Sequence, residues 1–365
     1  MELNIETIGW CALALFSLTW AIRMVYVFCF YFTPLFSVRK KDVFTPAPSD
    51  SPPVSIIVIA LNKGIGFIRN IEKILAQQYP RFEVVVVIDN ADKDVENSLK
   101  QLMHFDHRLR CTFIPHDTKN ISRRKLAFVV AARTVRYDWV LQTECSCRPA
   151  SETWLARMMN ARKERTEIVV GGTVYDTVSV GIHRVMAYSD LLRSLEMLSC
   201  GIRRIPHLGS SANLLISKQL IISRLNFKES LKEEMGEDIT LTNAAITKTN
   251  VAVELHPESL TISTFPDKKE WREKELSTAR CRSRIKGPCK ALWGANTFFT
   301  TLYGATFIAT LFLQQHSILF LSFVVAMHLV YRCSFWAILY TYSHKTCSLR
   351  FYLLPFCSKL FYPFV

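Results

Sequence analysis

Three apolar stretches at the two ends of this chain limit what it can fold into. Ile8–Phe36 is rich in Leu, Phe, Trp and Val, with Arg23 as its one charge. Ala291–Leu313 and Ser317–Thr341 are two more, joined by Gln314-Gln315-His316. Each is long enough to cross a bilayer core as a helix, which takes about 20 residues. The charged residues lie elsewhere. Every Asp and Glu except Glu2 and Glu6 falls between residues 39 and 286, as does every Lys and Arg except Arg23, Lys290, Arg332, Lys345, Arg350 and Lys359. A polar middle between apolar ends excludes a plain soluble enzyme. It equally excludes a multi-span transporter, because most of the chain is too polar for lipid. The formal charge of +14 does not point to nucleic acid, since acids interleave with the bases and leave no basic stripe.

The flanks give a topology. Glu2 and Glu6 precede the first stretch where a signal peptide would be positive, and no small-x-small site precedes Pro34, so a retained anchor is expected. Arg39, Lys40 and Lys41 follow it. Arg280, Arg282, Arg284, Lys286 and Lys290 precede the later pair, and Lys345 and Arg350 follow it. The positive-inside rule then puts the amino terminus outside and the middle in the cytoplasm. The expected organisation is a transmembrane helix over 1–38, a Pro-rich linker over 39–53 and a folded domain over 54–286. Two transmembrane helices over 287–345 and an interfacial tail over 346–365 complete it. Arg23 and Arg332, inside the spans, should snorkel or pair within the bundle. Eleven cysteines in a cytoplasm-facing chain read as thiols, and the lone Cys145-x-Cys147 lacks the second pair of a zinc site.

The middle alternates strand and helix patterns. Val54–Leu61 and Phe82–Ile88 are continuous apolar runs, as parallel strands buried on both faces require. Gly64–Gln78, Asp94–Met103 and Ser122–Arg136 read as helices, and Cys111–Pro115 and Asp138–Thr143 as further strands. This is an α/β domain with a mostly parallel, Rossmann-like sheet, whose ligands bind beyond the carboxyl ends of the strands. Asn62, Asp89 and Glu144 fall at those ends. Carboxylates there suit hydroxyl and amide groups of a nucleoside, or a divalent cation bridging to a diphosphate. No Gly-x-Gly-x-x-Gly follows the first strand and no Walker motif is present.

Two blocks carry a family likeness. Pro53–Lys63 with Gln77-Gln78-Tyr79-Pro80-Arg81-Phe82-Glu83 and Val84–Asp89 is the first; Arg124-Lys125-Leu126-Ala127 through Tyr137–Pro149 is the second. They resemble the family 2 glycosyltransferases of the GT-A fold, over about residues 52–286. The resemblance implies Asn62, Asp89 and Lys125 as nucleotide-sugar-binding residues. It also implies a Mg2+ or Mn2+ ion at the family's Asp-x-Asp, which here reads Glu144-Cys145-Ser146, leaving Glu144 and Ser146 as candidate ligands. Glu233–Leu241 resembles the family's Gly-(Glu/Asp)-Asp helix start and makes Asp238 the general base, with Glu237 beside it; the alternative is helix capping. Gly209–Leu214 resembles an acceptor-side segment. Lys268–Thr278 falls where the family carries Gln-x-x-Arg-Trp, and gapless the glutamine becomes Trp271 and the arginine Lys274. Arg272 or Lys274 is the candidate cation for the departing diphosphate, against an amphipathic basic helix lying on the anionic leaflet.

The expected function is inverting transfer from a nucleotide-sugar, a UDP-sugar first among them, to a lipid-linked or surface-glycan hydroxyl. With its leading span and terminal pair the chain resembles the bacterial inner-membrane enzymes of polysaccharide biosynthesis, with membrane lipids as further partners. The alternative is a catalytically impaired scaffold or nucleotide-sugar sensor, motivated by the altered metal motif. A processive synthase would need more spans and an intact Gln-x-x-Arg-Trp.

Overall fold

A computed structural model describes residues 5–37, 46–61, 65–89, 93–114, 122–176, 181–205, 207–224, 237–265, 268–282, 285–313 and 317–342. Helix α1 (Ile5–Tyr26) runs through a π-helical turn, Val27–Phe32, into α2 (Thr33–Ser37). Then come β1 (Val54–Leu61), a 3-10 turn at Ile65–Phe67, α3 (Ile68–Leu75), β2 (Phe82–Asp89), α4 (Lys93–Phe105) and β3 (Leu109–Phe113). Next are α5 (Arg123–Thr134), β4 (Trp139–Glu144), β5 (Cys147–Pro149), α6 (Trp154–Asn160), β6 (Ile168–Gly171) and β7 (Thr173–Tyr175). The long α7 (Gly181–Ile202), β8 (Leu214–Ser217), α8 (Lys218–Arg224), α9 (Glu237–Ala245), β9 (Val251–Glu254) and β10 (Thr261–Ser263) follow. Helices α10 (Lys268–Arg282), α11 (Pro288–Leu313) and α12 (Ile318–Tyr342) end the described chain.

These elements form two compact units. One collects α1, α2, α7 as far as Ser199, and α11 and α12 from Lys290 onward. Three of its helical stretches, Thr7–Ser37, Pro288–Leu313 and Ile318–Tyr342, are long and apolar enough to cross a membrane. Polar side chains stitch this unit internally, as hydrogen bonds must where apolar attraction between helices is weak. Arg23 is buried and donates to Asn296 Oδ1 at 2.7 Å and to the Tyr331 hydroxyl at 3.1 Å. It therefore pairs inside the bundle, one of the two fates expected for it. Tyr26 donates to Glu196 at 2.8 Å, and Ser194 meets the Tyr342 hydroxyl at 3.0 Å. Both partners lie on α7, a helix the sequence reading left in the polar domain.

The other unit holds a seven-stranded sheet ordered β3-β2-β1-β4-β8-β6-β9 and a small sheet ordered β5-β10-β7. Strands β1 to β4 are parallel to one another where they pair, as their unbroken apolar runs predict. All eight residues of β2 are buried. Strand β8 runs antiparallel to both β4 and β6, a reversal that the periodicity of the sequence does not show. Helix α3 is shorter than expected, because Gln77 leaves the helix to serve as a staple. Its side chain donates to Ser151 O and accepts from Leu155 N, while Tyr79 donates to Pro52 O. Glu83, buried at the start of β2, accepts from Ser55 Oγ and the Arg136 amide, both at 2.7 Å, and pairs with Arg110 at 3.0 Å. Much of the Gln-x-Tyr-Pro-x-Phe-Glu block thus serves the fold. Strand β3 begins two residues before its expected start.

Candidate active site

The register of the sheet brings the candidate carboxylates to one edge. Asp89 ends β2 opposite Leu61, the last residue of β1, and Glu144 ends β4 opposite Ile59. Helix α5 starts above this edge. Ser122 caps it, its hydroxyl accepting from the Lys125 amide. The first turn of α5 then carries Arg123, Arg124 and Lys125. Cations at a helix start oppose the macrodipole, a modest cost that anionic partners offset.

The strand ends supply them. Arg123 forks onto Asp89 through Nε and Nη2, and this hydrogen bonding holds its guanidinium still more firmly protonated than usual. Arg124 Nη2 donates to Glu144 Oε1 at 3.0 Å, and Ser211 Oγ donates to the same oxygen at 2.7 Å. Arg124 Nη2 also lies 3.4 Å from Ser211 Oγ. Asp89 is buried, whereas the side chains of Arg124 and Glu144 are 19% and 20% exposed, so the second pair is reachable from solvent. Lys125 is completely buried.

The turn after Glu144 is pinned from several sides. Asn70 donates to Cys145 O at 2.8 Å, the Thr264 amide donates to Ser146 O at 3.0 Å, and Thr143 donates to Ala212 O at 3.0 Å. Asn213 is fully buried and holds Trp154 Nε1, Gly172 O and Ser259 O. The Gly209–Leu214 segment therefore does two things: Asn213 anchors it and Ser211 reaches Glu144. Asn62 lies outside the described residues. For Glu237, Asp238 and Lys274 the description covers the backbone alone: the first two open α9, and Lys274 lies in α10. Arg272 is exposed on α10, which turns Trp271, Glu275 and Thr278 inward at helical spacing. Arg123, the pairing role of Arg124 and the reach of Ser211 were not singled out from the sequence. The signal that could have found them is the basic first turn of α5 after a serine cap.

The donor set at Glu144 is a poor fit for a divalent cation. Mg2+ and Mn2+ favour several hard oxygen ligands, and here one carboxylate, already held by Arg124 and Ser211, is followed by the neutral hydroxyl of Ser146. Among the described residues no group of three His, Cys, Asp or Glu side chains converges on a metal position.

Comparison with known proteins bears on residues 55–202 and on the fold. The model for Glycosyl transferase family 2 matches residues 55–202. These residues form a family 2 glycosyltransferase domain. Among solved structures the chain is similar to the mannosyltransferase PcManGT from Pyrobaculum calidifontis, determined in complex with GDP-Man and Mn2+. The identity is 15% and the TM-score 0.58, over 93% of this chain and 97% of that one. At that identity the likeness speaks for the fold, which is GT-A. No curated protein matches the chain. The domain thus has the expected α/β fold, and the family match supports glycosyl transfer in general terms.

Proposed function

We propose that this glycosyltransferase moves a sugar from a nucleotide-sugar, a UDP-sugar first among candidates, to a hydroxyl of a lipid-linked or surface-glycan acceptor, with inversion. Asn62 and Asp89 take the nucleoside, and Arg272 and Lys274 serve the donor's phosphate side, while Lys125, completely buried, lies behind the helix start and not in the contact layer. Asp238, with Glu237 beside it, takes the proton of the acceptor hydroxyl. As the acceptor oxygen bonds to the anomeric carbon, the bond from that carbon to the diphosphate breaks and its electron pair leaves on the diphosphate oxygen. A carboxylate facing the anomeric carbon opposite the leaving group gives this in-line geometry. The spans and their basic flanks support a site on the cytoplasmic face of a bacterial inner membrane, with the amino terminus outside.

The observation that carries the reading is a family 2 domain in which Asp89 and Glu144 close strands on either side of β1, at one sheet edge. The test is Asp238→Asn assayed with a panel of nucleotide-sugars. Turnover should fall by about 10²-fold or more, the usual worth of a general base; undiminished turnover would remove Asp238 from the mechanism. The engagement of Glu144 by Arg124 also suits a second reading, a catalytically impaired scaffold or nucleotide-sugar sensor. Nucleoside diphosphate binding with no transfer to any acceptor would favour a sensor.

A further inference from the structure

Resting on the glycosyl-transfer reading, we propose that Arg124 carries the positive charge beneath the donor diphosphate that a divalent cation would otherwise supply, and that Glu144 is its positioning residue. Glu144, at the first position of the altered metal motif, accepts through Oε1 from Arg124 at 3.0 Å and from Ser211 at 2.7 Å. The remaining motif position, Ser146, offers a hydroxyl that neither neutralises a cation nor competes with carboxylate for one. The pairing aims the guanidinium. Glu144 ends a strand whose following turn is fixed by Asn70 and Thr264, and Arg124 stands in the first turn of a capped helix. A guanidinium presents five N–H donors in a planar fork, so it can serve more than one anionic partner at a time. Its charge persists at any working pH, and the pair's partial exposure leaves room for an anion to approach.

During transfer the acceptor oxygen bonds to the anomeric carbon, its proton passes to the Asp238 carboxylate, and the carbon–oxygen bond to the diphosphate breaks. The electron pair departs on the diphosphate, which gains a negative charge beside the Arg124 guanidinium. A fixed cation placed where charge develops stabilises the transition state without reorganising.

The test is calorimetric titration of the intact chain in detergent with GDP and with UDP, each in EDTA and in excess Mn2+. For whichever nucleotide binds, the two Kd values should agree within about threefold, since the fixed guanidinium persists when metal is chelated. Arg124→Ala should weaken binding at least tenfold in EDTA, with Arg124→Lys recovering part of the loss. In turnover, kcat should drop by roughly 10²-fold in Arg124→Ala, the scale of one lost charge-stabilising donor. Binding that needs Mn2+ overturns this proposal and leaves the donor-binding reading standing, and so does an Arg124→Ala chain with parental affinity in EDTA. Failure of both nucleotides to bind under either condition overturns both. The wild-type comparison of EDTA with Mn2+ decides the matter even where the variants fold poorly.

Discussion

Asn213→Ala tests how the acceptor-side segment is held. The Asn213 side chain accepts from Trp154 Nε1 at 3.0 Å and donates to Gly172 O at 2.8 Å and Ser259 O at 2.9 Å. Asn213, Trp154 and Ser259 are all fully buried. Alanine leaves the indole donor and the Ser259 carbonyl without this partner, at about 1–3 kcal/mol each, whereas Gly172 O keeps the Thr261 amide as a donor. Even the lower figure sums to about 2 kcal/mol, a sizeable part of a typical domain stability of 5–15 kcal/mol. For a domain of this size that lowers the melting temperature by roughly 4–8 °C. The assay is thermal melting of the intact chain in detergent, followed by near-ultraviolet circular dichroism. Gly171 supplies an internal control. A Cβ built there would stand 2.4 Å from Asn213 Nδ2 and 2.5 Å from its Cγ, and the nearest atoms it meets all belong to Asn213. Gly171→Ala should therefore destabilise alone, yet add little once Asn213 is alanine, because contacting residues couple. The double variant should melt within about 2 °C of Asn213→Ala, a strong departure from additivity. An Asn213→Ala protein that melts with its parent refutes the account of the anchor, and simple additivity refutes the account of Gly171.

Two further outcomes are expected. In the apolar unit, Arg23→Met strips charged hydrogen bonds from Asn296 and Tyr331 and should cost about 2 kcal/mol or more; Arg23→Lys should recover little, since an ammonium does not reproduce the fork. A melting temperature unchanged in both variants would show the network to be dispensable. His207 is buried, and burial pushes its pKa down to about 4. The unfolded chain, at about 6.5, therefore takes up the proton first. The stabilisation is complete above pH about 6.5 and is lost as pH falls through that value towards 4, for roughly 3 kcal/mol in all. His207→Phe should show a smaller fall in melting temperature between pH 7 and pH 5 than the parent, and equal falls would contradict the assignment.

The sequence made the parallel strands and the apolar spans legible because each has a local physical signature. Val54–Leu61 forms a strand over the span its apolar run predicts, and Phe82–Asp89 is buried along its whole length. A strand covered on both faces needs no polar alternation, and a spanning helix needs only length and apolarity. The reversal at β8 left no such mark. Leu214–Ser217 is four residues long, and its direction follows from where the neighbouring segments begin and end. The link between α7 and the apolar helices was hidden for a similar reason. It rests on single polar contacts, such as Tyr26 with Glu196, between residues far apart in the chain.

The strand-end positions of Asp89 and Glu144 were legible, and the arginines that pair with them were not. Asp89 and Glu144 could be read because a residue just past an apolar run must lie at a strand end. Their partners come from the first turn of α5, and Arg124 sits 20 residues before Glu144. Taken as a motif, Arg124-Lys125-Leu126-Ala127 points to Lys125 as a nucleotide-sugar-binding residue and gives Arg124 no role. Its physics says more: arginines in a capped first turn stand against the helix dipole, a modest cost that carboxylates within reach offset. Since β2 and β4 both end at the edge from which α5 departs, Asp89 and Glu144 are the anions that topology puts there. On that argument the replacement of a second aspartate by Ser146 and the pairing of Glu144 with Arg124 are one change. Losing a carboxylate weakens the hold on a metal ion, and the remaining carboxylate then serves to orient a cation that belongs to the chain itself.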